Sequence, residues 1–359
     1  MFYFILKRIF YGFLVLLGVI LIVFFLFNIL PGDPARMMLG QRADVSSIEA
    51  INKDLGRDKS LPVQFLMYLN DLSPVSVHNR KNTESIIFLS PEKYSNHITL
   101  LPLPGNAVLV FKEPYLRRSY QSKRLVSDVI LDAMPGTIVL ATTSMLFATF
   151  FGVLLGIISA VKKHTLFDKF SLIFAVLGMS VPSFFAGILI AWLFGFVLSD
   201  YTHLNMTGSL FTVTAFDGEV LELKNLILPT LTLGLRPLAV IVQLTRSSLL
   251  DVLSQDYIRT AKAKGLRYRK VVFKHALTNA MNPVVTTISG WFASLLAGAV
   301  FVEFIFGWKG VGKVTVDALE KYDFPVVMGA VLMVAVVYVI INILVDIIYG
   351  ILDPRVRVQ

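Results

Sequence analysis

The sequence predicts an all-α membrane protein with six transmembrane helices. Of its 359 residues, 55% are hydrophobic and 16% are charged, whereas soluble domains of average composition carry about a quarter charged residues. The apolar residues are concentrated in six long runs, and a run of about 18 such residues can cross the hydrocarbon core of a membrane. The runs are Ile9–Leu30, Thr137–Val161, Phe170–Leu198, Asn225–Thr245, Pro283–Val302 and Phe324–Val345.

Three of the runs carry further signals. The first follows Lys7 and Arg8, as the apolar stretch of a signal peptide would, but its 22 residues are too many and no small-residue cleavage pattern follows. We therefore expect a retained first helix, which the helix-breaking cluster Leu30–Pro34 ends abruptly. Pro182 in the third run and Pro237 in the fourth can interrupt helix hydrogen bonding and serve as bends.

Basic residues outside the runs predict which side of the membrane each loop occupies. The short loops on one side hold 15 Lys and Arg residues, and those on the opposite side hold four. Because short cytoplasmic loops carry the excess of Lys and Arg, both termini are expected in the cytoplasm. The net charge of +9 is thus mostly a signal of membrane topology, and nucleic acid is not an expected partner.

The runs divide the chain into four parts. These are residues 1–30, with the N-terminus and first helix; 31–134, a long extracytoplasmic segment; 135–350, a five-helix core; and 351–359, a cytoplasmic tail. Within the long segment, Ser46 and Glu49 form a capping box for one short helix, and Ser60 with Pro62 begins a second. Residues 73–113 alternate polar stretches with short apolar runs, which predicts a β-containing insertion.

The composition also excludes several kinds of chemistry. Cysteine is absent, so the chain has no disulfide, thiolate metal site or cysteine nucleophile. No two of the five histidines lie within helical reach of each other, so a histidine metal site is not expected. No hydrolase motif and no paired carboxylates occur within a run, so we predict no catalytic residues and no enzyme activity. An ion-driven carrier would need acidic residues inside the spans, which is the reverse of what is found.

The cytoplasmic segment between the fourth and fifth runs, residues 246–282, is larger than a connector requires. It has a net charge of +6 in 37 residues. Its centre, which we call the knuckle, consists of Asp256, Tyr257, Ile258, Arg259, Thr260, Ala261, Lys262, Ala263, Lys264, Gly265 and Leu266. The small residues Ala261 and Ala263 permit close approach of another protein surface, and Gly265 permits a sharp turn between two short helices. Composition alone also allows a basic amphipathic helix lying on anionic lipid.

The order of residues around the knuckle resembles the loop signature of permease subunits of binding-protein-dependent ABC importers. The similarity is to the dipeptide, oligopeptide and nickel branch, and it continues through His275–Ala280 and Pro283–Thr286. The block at Leu30–Arg36 resembles the first of the two permease subunits of such systems. Further blocks match in order at Leu39–Gly40, Leu61–Gln64, Leu116–Ser119, Asp128–Pro135 and Asp353–Arg355.

The segment departs from the broad importer signature at two places. Arg259, Thr260 and Ala261 stand where that signature has Glu-Ala-Ala, and Thr278 stands where it has a proline. Both departures agree with the peptide-type branch, in which the proline comes later, here at Pro283.

The resemblance implies a type I ABC importer permease fold in a bacterial inner membrane. It implies as partners a homologous second permease subunit, two ATP-binding subunits at the cytoplasmic face, an extracytoplasmic solute-binding protein and membrane lipid. The knuckle would dock into an ATP-binding subunit and transmit its movement to the helices. The permease itself would need no cofactor. Its cargo would be a di- or oligopeptide, with nickel or another small solute as the alternative.

Residues 307–313 match the first seven positions of a phosphate-binding P-loop. Val314 stands at the eighth position, where Mg²⁺ requires a Ser or Thr hydroxyl, and no strand precedes the motif. We therefore predict a glycine turn that leads into a short outer helix, and no nucleotide site.

Three polar residues within the runs are candidates to line a translocation pathway: Arg236, Gln243 and Asn342. A charge at the centre of a bilayer costs about 2.5–3.5 kcal/mol, so such a side chain faces a bundle interior or water. The alternative is that these residues only join helices by hydrogen bonds. Gly152 and Gly156 form a small-residue pair that predicts tight helix packing.

Overall fold

A computed structural model describes residues 2–29, 58–82, 85–94, 96–214 and 218–352. The predicted breaker cluster, the capping box and residues 353–359 of the tail lie outside the described residues. The chain is mostly helical and divides into two compact units. Unit 1 comprises Met1–Phe13, Ala133–Lys313 and Val334–Gln359, and unit 2 comprises Leu14–Asp132 and Val314–Met333.

The described elements follow one another in this order. The helices are α1 (Phe2–Ile29), α2 (Leu61–Leu72), α3 (Val126–Val161), α4 (Leu166–Ser180), α5 (Ser183–Trp192), α6 (Ser199–Thr202), α7 (Ile227–Leu253), α8 (Asp256–Ala263), α9 (Tyr268–Lys270), α10 (Leu277–Gly298), α11 (Val300–Ile305), α12 (Val311–Glu320) and α13 (Phe324–Leu352). The strands are β1 (Val75–Asn79), β2 (His97–Pro102), β3 (Ala107–Lys112), β4 (Phe211–Thr214) and β5 (Gly218–Leu221). π-helical turns cover Leu193–Val197 and Val271–Ala276, and a 3-10 turn covers Leu223–Leu226.

Four helices in the described part of the chain are long and apolar enough to cross a membrane, namely α1, α3, α7 with its preceding turn, and α13. A fifth span is present if α4 and α5 count as one, although they are bent by 109° at the break between them. Proline lacks an N–H and forces the preceding residue into an extended conformation, and Val181 before Pro182 is extended. The third predicted run is therefore two helices, with the predicted bend at Pro182. Pro237, in contrast, lies inside the continuous helix α7, which is not interrupted there.

The fifth predicted run corresponds to α10, which is not among the strongly apolar helices. Its 22 residues extend about 33 Å, enough for a hydrocarbon core of about 30 Å. What lowers its apolar character is a set of Asn, Thr and Ser side chains, which are described with the candidate site.

The core of unit 1 is built around α7. Leu228, Ile241 and Val242 of this helix are buried in one cluster with Leu140 of α3 and Trp308. Glycines allow α3 to approach closely, because a Cβ at Gly152 would overlap Ile241 and one at Gly156 would overlap Thr245. The small-residue pair thus packs tightly against a neighbouring helix, as predicted.

Unit 2 contains the strands predicted for residues 73–113. The sheet has the order β1-β3-β2, and all its pairings are antiparallel, with Val75 opposite Phe111 and Ile98 also opposite Phe111. Val108 and Val110 of β3 are buried, whereas every residue of β2 is exposed. A second hairpin, of β4 and β5, lies in unit 1 between α6 and α7 and has no counterpart among the sequence predictions.

A buried polar cluster lies under the sheet of unit 2. The Lys112 ammonium donates to the backbone oxygen of Asp71 at 2.7 Å, and the Tyr94 hydroxyl donates to an Asp71 carboxylate oxygen at 2.5 Å. His78 is fully buried, with its Nε2 3.0 Å from the Ser76 hydroxyl. Burial, reinforced by the nearby Lys112 charge, lowers the pKa of His78 to about 4. The imidazole is therefore neutral at neutral pH.

Candidate functional site

The knuckle has the helix, turn and helix that the sequence predicts. Helix α8 carries Asp256 in its first turn and ends at Ala263. Gly265 then adopts a left-handed conformation with φ +73°, which favours glycine. The chain re-enters helix at Tyr268 and continues through the π-helical turn into α10. One short helix is thereby folded back beside the start of a long one.

Apolar packing fixes the knuckle to the rest of unit 1. Ile258 is fully buried and Ala261 is 8% exposed, and both belong to one buried cluster with Val271, Val272 and Leu249. Ala261 therefore packs inside this segment, and its contact with another protein stays a prediction. Ala263 is exposed and remains available for such a contact.

A hydrogen bond adds to this packing. Asn279 of α10 donates from Nδ2 to the Tyr257 hydroxyl at 2.8 Å. Because Tyr257 lies on α8, this bond joins the knuckle directly to the helix that follows it. The knuckle and the first turns of α10 are thus held by both apolar and polar contacts.

The outward surface of the knuckle is basic and polar. The side chain of Tyr257 is 42% exposed. The other exposed knuckle residues are Asp256, Arg259, Thr260, Lys262, Ala263, Lys264 and Gly265, whereas Leu266 is half-buried. This surface suits an acidic or polar partner more than an apolar one.

Of the three candidate pathway residues, two point away from the packed core of unit 1. Arg236 and Gln243 lie on the exposed side of α7, and within the described part of the chain neither side chain has a hydrogen-bond or ion-pair partner. Asn342 of α13 differs, since its Nδ2 donates to the Tyr338 backbone oxygen at 2.8 Å. Asn342 thus bonds within its own helix and does not join two helices, whereas Arg236 and Gln243 have polar atoms free for other molecules.

A second polar surface, on α10, is absent from the sequence interpretation. Asn282, Thr286, Gly290 and Ser294 are exposed and recur every four residues. This spacing places them along one side of the helix. Helix α10 packs against α7, so both polar surfaces belong to the same pair of helices. A periodicity search among the polar residues of the fifth run could have found this surface, because its signal is the i, i+4 spacing.

Another site missed from sequence is a buried ion pair in unit 1. The Arg246 guanidinium donates from Nε and Nη2 to the two carboxylate oxygens of Asp168, at 2.6 and 2.8 Å. The Ser159 hydroxyl and the His164 backbone N–H donate to the same carboxylate. The side chain of Asp168 is 3% exposed, and that of Arg246 is 18% exposed. The pair joins α4 to the end of α7 from which the knuckle segment begins.

The P-loop-like motif surrounds a carboxylate of the same chain. Glu303 is fully buried, and it accepts hydrogen bonds from the Gly312 N–H at 2.7 Å and the Thr137 hydroxyl at 2.7 Å. Gly310 and Gly312 lie so close that a Cβ on either would overlap this carboxylate. Glu303 thus fills the place that an anion would take, and the glycine turn leads into α12 as predicted.

The described residues contain no group of three or more His, Asp or Glu side chains placed to hold a metal ion.

Family comparisons match both ends of the chain. The description "Binding-protein-dependent transport system inner membrane component" applies to residues 152–358. A related description, for the N-terminal part of such membrane components, applies to residues 1–84. The first match includes the knuckle, α7, α10 and α13.

Curated relatives match over nearly the whole chain. A di/tripeptide transport system permease protein, DppB, of Pseudomonas aeruginosa is 36% identical over 358 residues, 95% of each chain. The glutathione transport system permease protein GsiC of Pectobacterium atrosepticum is 37% identical over 343 residues, 95% of this chain and 94% of that one. The dipeptide transport system permease protein DppB of Escherichia coli K12 is 34% identical over 359 residues, 95% and 94%.

Proposed function

The chain belongs to the family of inner-membrane components of binding-protein-dependent transport systems, and from this premise we propose that it forms half of the translocation pathway of a peptide importer. The names of its relatives, which are permeases for di- and tripeptides, dipeptides and glutathione, support a di- or oligopeptide as the cargo. A homologous second permease subunit supplies the other half. Energy comes from ATP hydrolysis on two partner subunits, and an extracytoplasmic solute-binding protein delivers the cargo.

The proposed topology has six spans in a type I importer permease fold, in a bacterial inner membrane. Four strongly apolar helices, the bent pair α4 and α5, and α10 supply the six. The excess of basic residues in one set of short loops supports cytoplasmic termini and a cytoplasmic knuckle. In this topology, residues 31–134, with the insertion 73–113, lie on the extracytoplasmic side of the membrane. Residues 135–350 form the permease core.

The knuckle is the proposed contact with an ATP-binding subunit. Its support is structural, because a segment that transmits movement must be both exposed and firmly attached. Ile258 and the bond from Asn279 to Tyr257 attach it. Arg259, Lys262 and Lys264 give it a basic outer surface that can dock into an acidic cleft.

Arg236, Gln243 and Asn342 remain the proposed pathway residues of this subunit. Exposure of Arg236 and Gln243 on the mostly buried α7 supports their role, because that surface must meet water, cargo or the second permease. The chain carries no proposed catalytic residue or cofactor, since hydrolysis belongs to the partner subunits.

Uptake in proteoliposomes tests the proposed function. The chain is reconstituted with its second permease, ATP-binding subunits and binding protein, and uptake of dialanine, glutathione and Ni²⁺ is measured with and without ATP. We expect ATP-dependent uptake of at least one of the two peptides and none of Ni²⁺. Uptake of Ni²⁺ alone would assign the alternative cargo, and uptake without ATP would overturn the importer assignment.

A further inference from the structure

Two polar surfaces in unit 1 are exposed on α7 and α10, helices that pack against each other. On α7, Arg236, Gln243 and Ser247 follow one another at intervals of seven and four residues. These intervals place them along one side of the helix over about 16 Å. On α10, the surface of Asn282, Thr286, Gly290 and Ser294 extends over about 18 Å. We call the two together the polar wall.

The polar wall differs from surfaces suited to lipid. Phe150 of α3, Phe174 of α4 and Ile188 of α5 are all large, apolar and about half exposed or more, as expected of side chains that contact acyl chains. The wall instead presents hydroxyl, amide and guanidinium groups. A lipid contact would leave the guanidinium of Arg236 and the amide of Gln243 without hydrogen-bond partners in a medium that supplies none.

Hydrogen bonding within the wall separates its residues into two kinds. The Thr286 hydroxyl donates to the Asn282 backbone oxygen at 3.0 Å, a local bond that a helix makes in any surroundings. Arg236 and Gln243 make no such bond within the described part of the chain. Arg236 is also the only charged residue in the sequence of α7 between Ile227 and Thr245. Its guanidinium is therefore the group on this wall with the greatest need of an anionic partner.

We propose that the polar wall lines a water-filled passage for cargo, and that Arg236 binds the carboxylate of the peptide passing through it. This inference rests on the proposed function, because it takes the cargo to be a peptide. Every linear peptide with a free C-terminus carries a carboxylate, and guanidinium matches that group with two parallel hydrogen bonds. Gln243 lies about 10 Å further along the helix, where its amide can donate to and accept from the peptide backbone.

The absence of native cysteine makes the wall directly testable by labelling. Single variants Arg236→Cys and Thr286→Cys in the reconstituted importer are exposed to the membrane-impermeant cation MTSET. Ile188→Cys, an exposed apolar position on α5, is the matched control. We expect modification of the two wall positions and none of the control. Protection of both wall positions in every nucleotide state would show that the second permease covers them, and would overturn the proposal.

Charge rescue then tests the role of Arg236. We expect dialanine uptake by Arg236→Cys to fall about tenfold, as for the loss of one charge-assisted interaction. Modification with MTSEA, which adds an ammonium group, should restore most of the uptake, and modification with MTSES, which adds a sulfonate, should not. Unchanged uptake by Arg236→Cys, or equal recovery with both reagents, would contradict binding of a carboxylate.

A separate readout distinguishes this inference from the function on which it rests. Binding-protein-stimulated ATP hydrolysis by the unmodified importer reports on the proposed function without involving Arg236. If the unmodified importer shows neither stimulated hydrolysis nor dialanine uptake, the proposed function fails. If it shows both and the Arg236 variants match it, only the carboxylate assignment fails.

Discussion

Asp168 is the carboxylate on which several parts of unit 1 converge. It accepts from Arg246 of α7, Ser159 of α3 and the His164 backbone N–H. Each residue looks ordinary in the sequence, since an acid near a helix start and an arginine at the end of an apolar run both have local explanations. Asp168 and Arg246 are separated by 78 residues, so only the packing of α4 on α7 reveals the pair.

Breaking this pair should destabilise the protein measurably. We predict that Asp168→Asn, which leaves the partly buried Arg246 charge without its counterion, lowers the free energy of unfolding by about 1.5–3 kcal/mol. Thermal unfolding of the purified chain in detergent measures the change. Asp256→Asn is the matched control, because it breaks the exposed pair of Asp256 and Arg259, whose side chains are 93% and 75% exposed, and its effect should be small. Equal effects of the two substitutions would contradict a structural role for the buried pair.

His78 should make the sheet of unit 2 sensitive to acid. Its pKa is about 4 in the folded protein, below the ordinary value of 6.5. Between these values the unfolded chain binds a proton that the folded chain does not, so stability falls as the pH drops from about 6.5 to about 4. Protonation would place a second positive charge beside Lys112.

Hydrogen exchange measures this sensitivity. We predict that amides of β1 and β3, corrected for intrinsic exchange, open up to about thirtyfold more often at pH 5 than at pH 7.5. In His78→Leu, which lacks the titrating group, most of this difference should vanish. The same pH dependence in both proteins would assign it to another group of the cluster.

At the scale of elements, local signals were the most predictive. The knuckle could be predicted because its helix-forming residues and its glycine lie within about ten residues of one another. The left-handed conformation of Gly265 confirms the predicted turn. The sequence did not predict which side chains of α8 face inward, because that depends on the packing of Val271 and Val272 against this helix. The bend at Pro182 was predictable from its chemistry, whereas the angle of 109° depends on neighbouring helices.

The two alanines of α8 should respond differently to enlargement. We predict that Ala261→Leu, which adds three carbons to a buried position, destabilises the knuckle by about 1–3 kcal/mol. Hydrogen exchange of residues 256–276 should therefore rise. Ala263→Leu on the exposed side should leave it unchanged. If Ala263→Leu raises exchange as much as Ala261→Leu does, the described orientation of α8 is wrong.

At the scale of the whole molecule, composition and long apolar runs predicted a membrane-embedded helical protein, and the family comparisons confirm a permease of the dipeptide-importer type. Sequence reasoning predicted a fifth span from the length of the run at Pro283–Val302 and missed that one side of α10 is polar. The hairpin of β4 and β5 was also missed, because its strands have only four residues each, too few for a clear alternating pattern. Whether a short strand forms, and which side of a helix is exposed, depends more on the elements packed around it than on its own residues.

We propose that this permease has no ATPase of its own and is coupled to one through the exposed surface of the knuckle. The most direct test is co-purification of its partners in mild detergent, comparing the intact chain with the triple variant Arg259→Ser, Lys262→Ser and Lys264→Ser. This variant retains the buried Ile258 and Ala261, so the segment should stay folded. We predict that the second permease is recovered with both proteins and the ATP-binding subunits with the intact chain only. Recovery of the ATP-binding subunits with both proteins, or with neither while the second permease is present, would contradict the claim.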